Sequence, residues 1–377
     1  MGRRLRQRLQ QGRWVEREHR YLPLDTLRAV AFGVVFFLHA VPFPFPWGRY
    51  GVDLFFVLSG YLITSGLLRS ELGSGYFSRF YLRRSLRIFP AYYATIALAM
   101  IVVPVSALPM MPWSLGYLGN IGYLFGDNWN SALAHLWSLA VEEQFYLLWP
   151  LALWLVRSTA GRWRLIAAVL LIAPALRWGF TEYWSWQAAY ALLPARMDGL
   201  AIGAAVALVQ STRGVEWFVA RRGRLLAAAA LTGMLLVVVT RKIQFQTPPH
   251  MAIVLSVSVI CFGFVVAATI GIRDTKLAAL MSLGPVVYLG QISYGLYLVH
   301  VWVLYALDQH TDSWPLLLTA GGGISLVLAM LSWHFFERPI NDLRHRFEAR
   351  TSRPAEPAVD EPVGPDGPPR PTEPAPA

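Results

Sequence analysis

The stretch LDTLRAVAFGVVFFLHA, residues 24–40, carries an arginine and, eleven positions later, a histidine inside an otherwise apolar run. At about 100° per residue the two share one helix face and stand roughly 16 Å apart along its axis. Ionisable groups within apolar spans cost at least a few kcal/mol, so they usually face a cavity or a partner. Arg28 can grip an anion, or snorkel to an interface; His39, just before Pro42, can accept a proton, or merely end a helix. The next apolar run, GVDLFFVLSGYLITSG, opens with Asp53, and the short link VPFPFPWGRYG brings that carboxylate to the depth of His39. A carboxylate beside an imidazole fixes its tautomer and raises its basicity, as a general base requires; Asp53 can equally cap the second helix. Ser59 and Gly60 suit close helix packing better than nucleophilic catalysis.

In FYLRRSLRIFPAYY, Arg84 and Arg87 are three apart and share a face, a spacing that makes a two-pronged anion clamp. Arg83 adds charge, although basic residues also gather here for topological reasons. Cations at one end of a helix and an imidazole about 16 Å away suit a long donor with a phosphorylated head and a reactive end. Coenzyme A thioesters have that form. A further cluster, HLWSLAVEEQFYLLWP, supplies His135, Trp137, Glu142, Glu143, Gln144 and Tyr146. Adjacent acids point about 100° apart, so Glu142 and Glu143 are not expected on one pocket wall. Glu142 joins His39 and Asp53 as a catalytic candidate, and Glu143 and Trp137 are acceptor-binding candidates. Arg196 and Asp198, in RMDGLAIG, are plausible internal partners for the two acids. In LGQISYGLYLVH, Tyr294, Tyr297 and His300 follow one another at intervals of three; this seam either packs or lines a cavity, and Tyr297 and His300 complete the acceptor set.

These groups need a scaffold that crosses a bilayer. The 377 residues are 55% hydrophobic and 15% charged, too apolar for one water-soluble core. Spans of roughly 20 residues are read at about 26–42, 51–68, 88–107, 136–156, 164–180, 190–210, 224–240, 250–270, 288–308 and 315–336. The expected fold is an all-α polytopic membrane bundle of about ten helices. With the N-terminus in the cytoplasm, 25 lysines and arginines fall on inner segments and four (Arg49, Arg177, Arg241, Lys242) on outer ones, which predicts both termini inside. Dispersed among apolar spans, the net charge of +11 does not form a nucleic-acid stripe. Residues 1–20 read as a basic cytoplasmic segment without a removable signal, 21–340 as the membrane domain, and 341–377 as a basic, then Pro-rich disordered tail. The long outer connection, 108–135, has no lysine or arginine and is rich in aromatic, Gly and Asn residues, which suits a re-entrant or interfacial cap. No metal-ligand constellation is seen, and the single cysteine, Cys261, reads as a packing residue.

Seven fragments in order, LDTLRAVAFGVVFFLH, GVDLFFVLSGYLIT, YLRRSLRIFPAYY, HLWSLAVEEQFYLLWP, RMDGLAIG, QISYGLYLVH and FFERP, make the sequence similar to the acyltransferase 3 family of integral membrane acyltransferases over residues 21–340. The family's arginine and histidine separated by ten residues map to Arg28 and His39, and its paired arginines to Arg84 and Arg87. The resemblance implies transfer of an acyl group, commonly acetyl, from cytoplasmic acyl-CoA to a hydroxyl, often of a sugar, glycan or lipid-linked acceptor, at the outer side of the cytoplasmic membrane. Acyl-CoA is then a donor substrate held by Arg28, Arg84 and Arg87, with no permanently bound cofactor. A multi-span transporter carries similar intramembrane charges but predicts inverted repeats, which the chain does not display.

Overall fold

The computed structural model describes residues 16–17, 20–42, 46–70, 75–125, 128–273 and 275–342. The expected basic N-terminal segment and Pro-rich tail lie almost wholly outside the described residues. Within them the chain is helical, apart from a two-residue antiparallel ladder between Glu16–Arg17 and Arg20–Tyr21. The principal helices are α1 (Leu22–Ala40), α2 (Tyr50–Arg69), α3 (Tyr76–Val102), α4 (Trp137–Leu155), α5 (Thr159–Tyr183), α6 (Leu193–Arg213), α7 (Glu216–Lys242), α8 (Leu255–Ile270), α9 (Gly284–Gln291), α10 (Ser293–Asp308) and α11 (Gly322–Ser332).

Eight of these, α1, α2, α3, α5, α6, α7, α8 and α11 with their flanking turns, are long and apolar enough to cross a membrane. This is a multi-pass membrane protein. The expected ninth span is two helices, α9 and α10, bent by 69° at Ile292. The expected fourth forms as the 19-residue helix α4 but is not among the eight, since Glu142, Glu143 and Gln144 occupy its middle. A helix so placed needs protein around it, and Val141, Phe145, Tyr146 and Trp149 are all buried. The third span begins at Tyr76, well before the expected 88, so Arg83, Arg84 and Arg87 belong to the helix itself.

At the centre is α2, 72% buried over its apolar window, against 11% for α7 and 22% for α5. It packs on α6 through small residues: a Cβ on Gly60 would strike the Leu200 carbonyl, and one on Gly203 the Val57 carbonyl. Backbones in such contact give dense packing between helices where lipid supplies no hydrophobic drive. The reading of Gly60 as a packing residue accords with this contact.

Between α3 and α4 the chain folds into short helical turns that descend beside α4. Gln144 and Asn120 exchange side-chain hydrogen bonds at 2.9 and 3.0 Å, and Gln144 also donates to the Tyr117 carbonyl. Tyr117 stacks on Tyr92 with centroids 4.1 Å apart. The connection is therefore pinned at the depth of the acidic pair.

Candidate active site

Helix α4 sets Ser138, Glu142 and Tyr146 at intervals of four, so all three share one face. That face meets α2. Ser59 donates to Glu142 Oε1 at 2.9 Å, and the Tyr146 hydroxyl lies 2.9 Å from both Ser59 Oγ and Glu142 Oε2. The Arg84 guanidinium, from α3, sits over the Tyr146 ring at 4.6 Å. Both oxygens of one partly buried carboxylate are thus engaged, which fixes the wall they form.

Beside this wall runs a slot of about 100 Å³. Arg28, Arg84 and Arg87 line it together with Glu142, Glu143, Tyr297, Ser138 and Phe55. Two helices, α1 and α3, therefore bring the three expected donor-binding arginines together. Both acids line the slot, contrary to the expectation from their 100° offset. Arg28 is held by Asp25, three residues before it in the first turns of α1, with Nη1 to Oδ1 at 2.9 Å. A neighbouring cavity of about 210 Å³ shares Arg84 and Arg87 and adds Arg79 and Arg83, so the paired arginines stand in the partition between a roomier chamber and a narrow slot.

His39 does not line the slot; neither do His300 and Trp137. The slot ends at Tyr297, whose hydroxyl is 2.6 Å from Ser138 Oγ and donates to the His135 carbonyl at 3.1 Å. Behind Tyr297 stand three imidazoles. The His300 ring centroid is 5.2 Å from those of both His39 and His135, and the Tyr297 ring is 5.4 Å from His300 and 5.5 Å from His135. The continuous passage expected from the arginines to His39 is therefore not open in this conformation: Tyr297 lies against His300, and His300 in turn against His39.

Each imidazole has one nitrogen on a main-chain carbonyl: His39 Nδ1 on Val35 at 2.9 Å, His300 Nδ1 on Tyr297 at 2.8 Å and His135 Nε2 on Leu298 at 3.3 Å. A carbonyl only accepts, so these nitrogens donate and the tautomers follow, leaving His39 Nε2, His300 Nε2 and His135 Nδ1 as lone-pair acceptors. His300 Nε2 and His135 Nδ1 are buried with no partner among the described residues. Burial, and then the neighbouring His39, pushes the His135 pKa down to about 3, so it stays neutral. Sequence reasoning placed His135 in a cluster but gave it no role, because its partners come from α1 and α10.

Asp53 does not orient His39. It is fully buried, its Oδ1 pairs with Arg196 and its Oδ2 accepts from Ser258 of α8. A short link fixes the depth of two antiparallel helices but not the direction of their side chains; Asp53 points towards α6 and α8, and His39 towards α10. The Val35 carbonyl, not Asp53, holds His39 Nδ1. Arg196 and Asp198 likewise do not partner the acids of α4. Asp198 pairs instead with Arg177 at 2.8 Å, and Arg177, counted above on an outer segment, is fully buried in α5 and donates to the Ala195 carbonyl and Ser256. Trp137 belongs to this second polar centre: its ring lies 5.8 Å from the Arg196 guanidinium and 4.9 Å from Tyr190, and it is buried there instead of facing the slot.

The geometry is thus a polytopic helical bundle with a polar slot lined by three arginines and two glutamates, and with imidazoles beyond Tyr297. The family model of the acyltransferase domain matches residues 22–334, and the chain belongs to that family, the acyltransferase 3 family whose motifs it displays. Among curated proteins it is 31% identical over 355 residues to "Putative peptidoglycan O-acetyltransferase YrhL" of Bacillus subtilis, covering 85% of this chain and 55% of that protein. It is 28% identical, again over 355 residues, to peptidoglycan O-acetyltransferase OatA of Listeria monocytogenes, covering 85% of this chain and 56% of that protein. The chain thus spans about half the length of these relatives. No solved structure matches it.

Proposed function

We propose that the protein is an O-acyltransferase of the cytoplasmic membrane, with both termini in the cytoplasm, that moves an acetyl group from acetyl-CoA to a hydroxyl of a sugar or glycan at the outer face. The observation that carries this reading is a slot along which Arg84, over Tyr146, and Tyr297, bonded to Ser138 and backed by imidazoles, stand on opposite sides of Glu142. The names of the two relatives favour acetyl as the group and a cell-wall glycan as the acceptor.

The donor's phosphates are taken by Arg84 and Arg87, with Arg28 beside them, while its nucleotide occupies the roomier chamber. A slot of about 100 Å³ admits a chain but no nucleotide, so only the pantetheine arm advances towards Tyr297. Once the Tyr297 ring turns aside, the thioester meets the acceptor hydroxyl. His39 Nε2 takes the hydroxyl proton as the oxygen bonds to the thioester carbonyl carbon; the carbon–sulfur bond then breaks and the thiolate receives that proton. Nδ1–H on the Val35 carbonyl stabilises the transient imidazolium. Base catalysis of this kind is worth about 10²- to 10⁴-fold, and holding both reactants in one slot adds several kcal/mol.

The test uses proteoliposomes of the full chain with radiolabelled acetyl-CoA supplied to one side and a muramyl glycan to the other. Labelled O-acetyl ester on the far side supports the reading. Transport of intact donor or glycan without ester formation would overturn it.

A further inference from the structure

On the side of the bundle away from the slot lies a larger cavity, about 480 Å³, between the first turns of α5, the last turn of α6 and the first turns of α7. We propose that it binds the phosphate of an anionic phospholipid, holding one lipid molecule against α5 and α7. Its wall carries Arg213 and Arg221, the indoles of Trp163 and Trp217, and the hydroxyl-bearing Thr159 and Thr212, with no acidic residue. Glu216, the acid adjoining this wall, is 83% exposed and lies 3.8 Å from Arg273, which lines a different cavity. Neither Arg213 nor Arg221 forms a salt bridge among the described residues. Arg221 instead rests on the Trp217 ring at 4.6 Å, which holds its planar fork in place without neutralising it.

Three further features favour lipid over a soluble anion. Helix α6 runs parallel to α2, as shown by Arg196 against Asp53 and Gln210 against Tyr61, so the cavity lies at the same end of the bundle as Arg69. There the apolar helices meet water, the level at which indoles anchor and at which phospholipid phosphates stand. Helices α5 and α7, on either side of the cavity, are only 22% and 11% buried over their apolar windows, and Leu171, Leu231 and Met234 are each more than half exposed, offering an acyl chain apolar surface beyond the cavity. Arginine grips phosphate bidentately, and two guanidinia without acids are matched by one phosphodiester and a second polar head-group oxygen.

The experiment titrates the full chain, held in phosphatidylcholine nanodiscs, with radiolabelled phosphatidylglycerol, and repeats the titration in the presence of inorganic phosphate or coenzyme A. Each arginine that touches the phosphate contributes about fivefold through its charge-assisted hydrogen bonds, so Arg213→Gln with Arg221→Gln should weaken phosphatidylglycerol binding about 25-fold. The charge-matched pair Arg164→Gln with Arg224→Gln, outside the cavity, should change it by less than about twofold. Trp217→Ala, which removes the support of Arg221 while keeping both charges, should weaken it about fivefold. Equal loss in the charge-matched control would reduce the effect to general electrostatics and overturn the site. Displacement by inorganic phosphate or coenzyme A at concentrations matching the lipid would assign the cavity to a soluble anion and overturn the lipid reading.

Discussion

Replacing Asp53 by Asn separates a structural carboxylate from a catalytic one. The side chain is fully buried and its partner Arg196 is 1% exposed, so the substitution leaves a guanidinium without its counter-charge in a dry core. Arg196 Nε and Nη1 already lack partners among the described residues, which leaves the ion little else to fall back on. Breaking a buried pair from one side costs about 3–5 kcal/mol, whereas replacing both partners by apolar groups of similar volume is often neutral. For a chain of this size that is a fall in unfolding temperature of about 4–6 °C. The assay pairs thermal unfolding in detergent with acyl transfer measured on the folded fraction. D53N should unfold earlier while the turnover of each folded molecule changes less than about tenfold, and the double variant D53N with Arg196→Met should regain most of the stability. The reasoning is refuted if D53N keeps wild-type stability but loses turnover about 10³-fold or more, since that is the signature of a group holding the base in its working tautomer.

His39→Gln should reduce single-turnover transfer about 10²- to 10⁴-fold while equilibrium binding of labelled acetyl-CoA is unchanged; an equal loss of binding would place His39 in donor recognition instead. Arg84→Ala should raise the donor KM about tenfold or more and leave kcat within a few-fold, measured by initial rates across donor concentration. Tyr297→Ala should open the slot towards the imidazoles and raise acetyl-CoA hydrolysis in the absence of acceptor, read by thiol release; unchanged or lower hydrolysis would show that Tyr297 is no barrier. His135 is held neutral with a pKa lowered to about 3, so the unfolded chain binds the extra proton first as pH falls. Stability should therefore be lost from about pH 6.5 downwards, by about 2 kcal/mol at pH 5, and His135→Asn should flatten that slope in pH-dependent unfolding.

The amino-acid sequence by itself determined the class of fold and the ingredients of the site. Hydropathy marks apolar segments because a bilayer demands about 20 such residues in a row, and charge within them is costly enough to be informative wherever it occurs. Arg28, Arg84, Arg87, Glu142 and Glu143 were legible on that ground, and the structure gathers all five around one slot. Spacing along α4 also contained Ser138 and Tyr146, four residues to either side of Glu142. Tertiary structure alone decided direction and partnership. Helical periodicity says which residues share a face, but not which neighbour that face meets. Thus Asp53 turned to Arg196, Asp198 to Arg177, and Trp137 to the shell around Arg196, while His39 turned to His300 and His135 from segments more than 90 positions away. Tyr297 reads in sequence as one more residue of an aromatic seam; only the packing of α10 against α4 makes it the ring that divides the arginine-lined slot from the imidazoles, because contacts between distant segments are set by the whole bundle's packing and leave no local periodic trace.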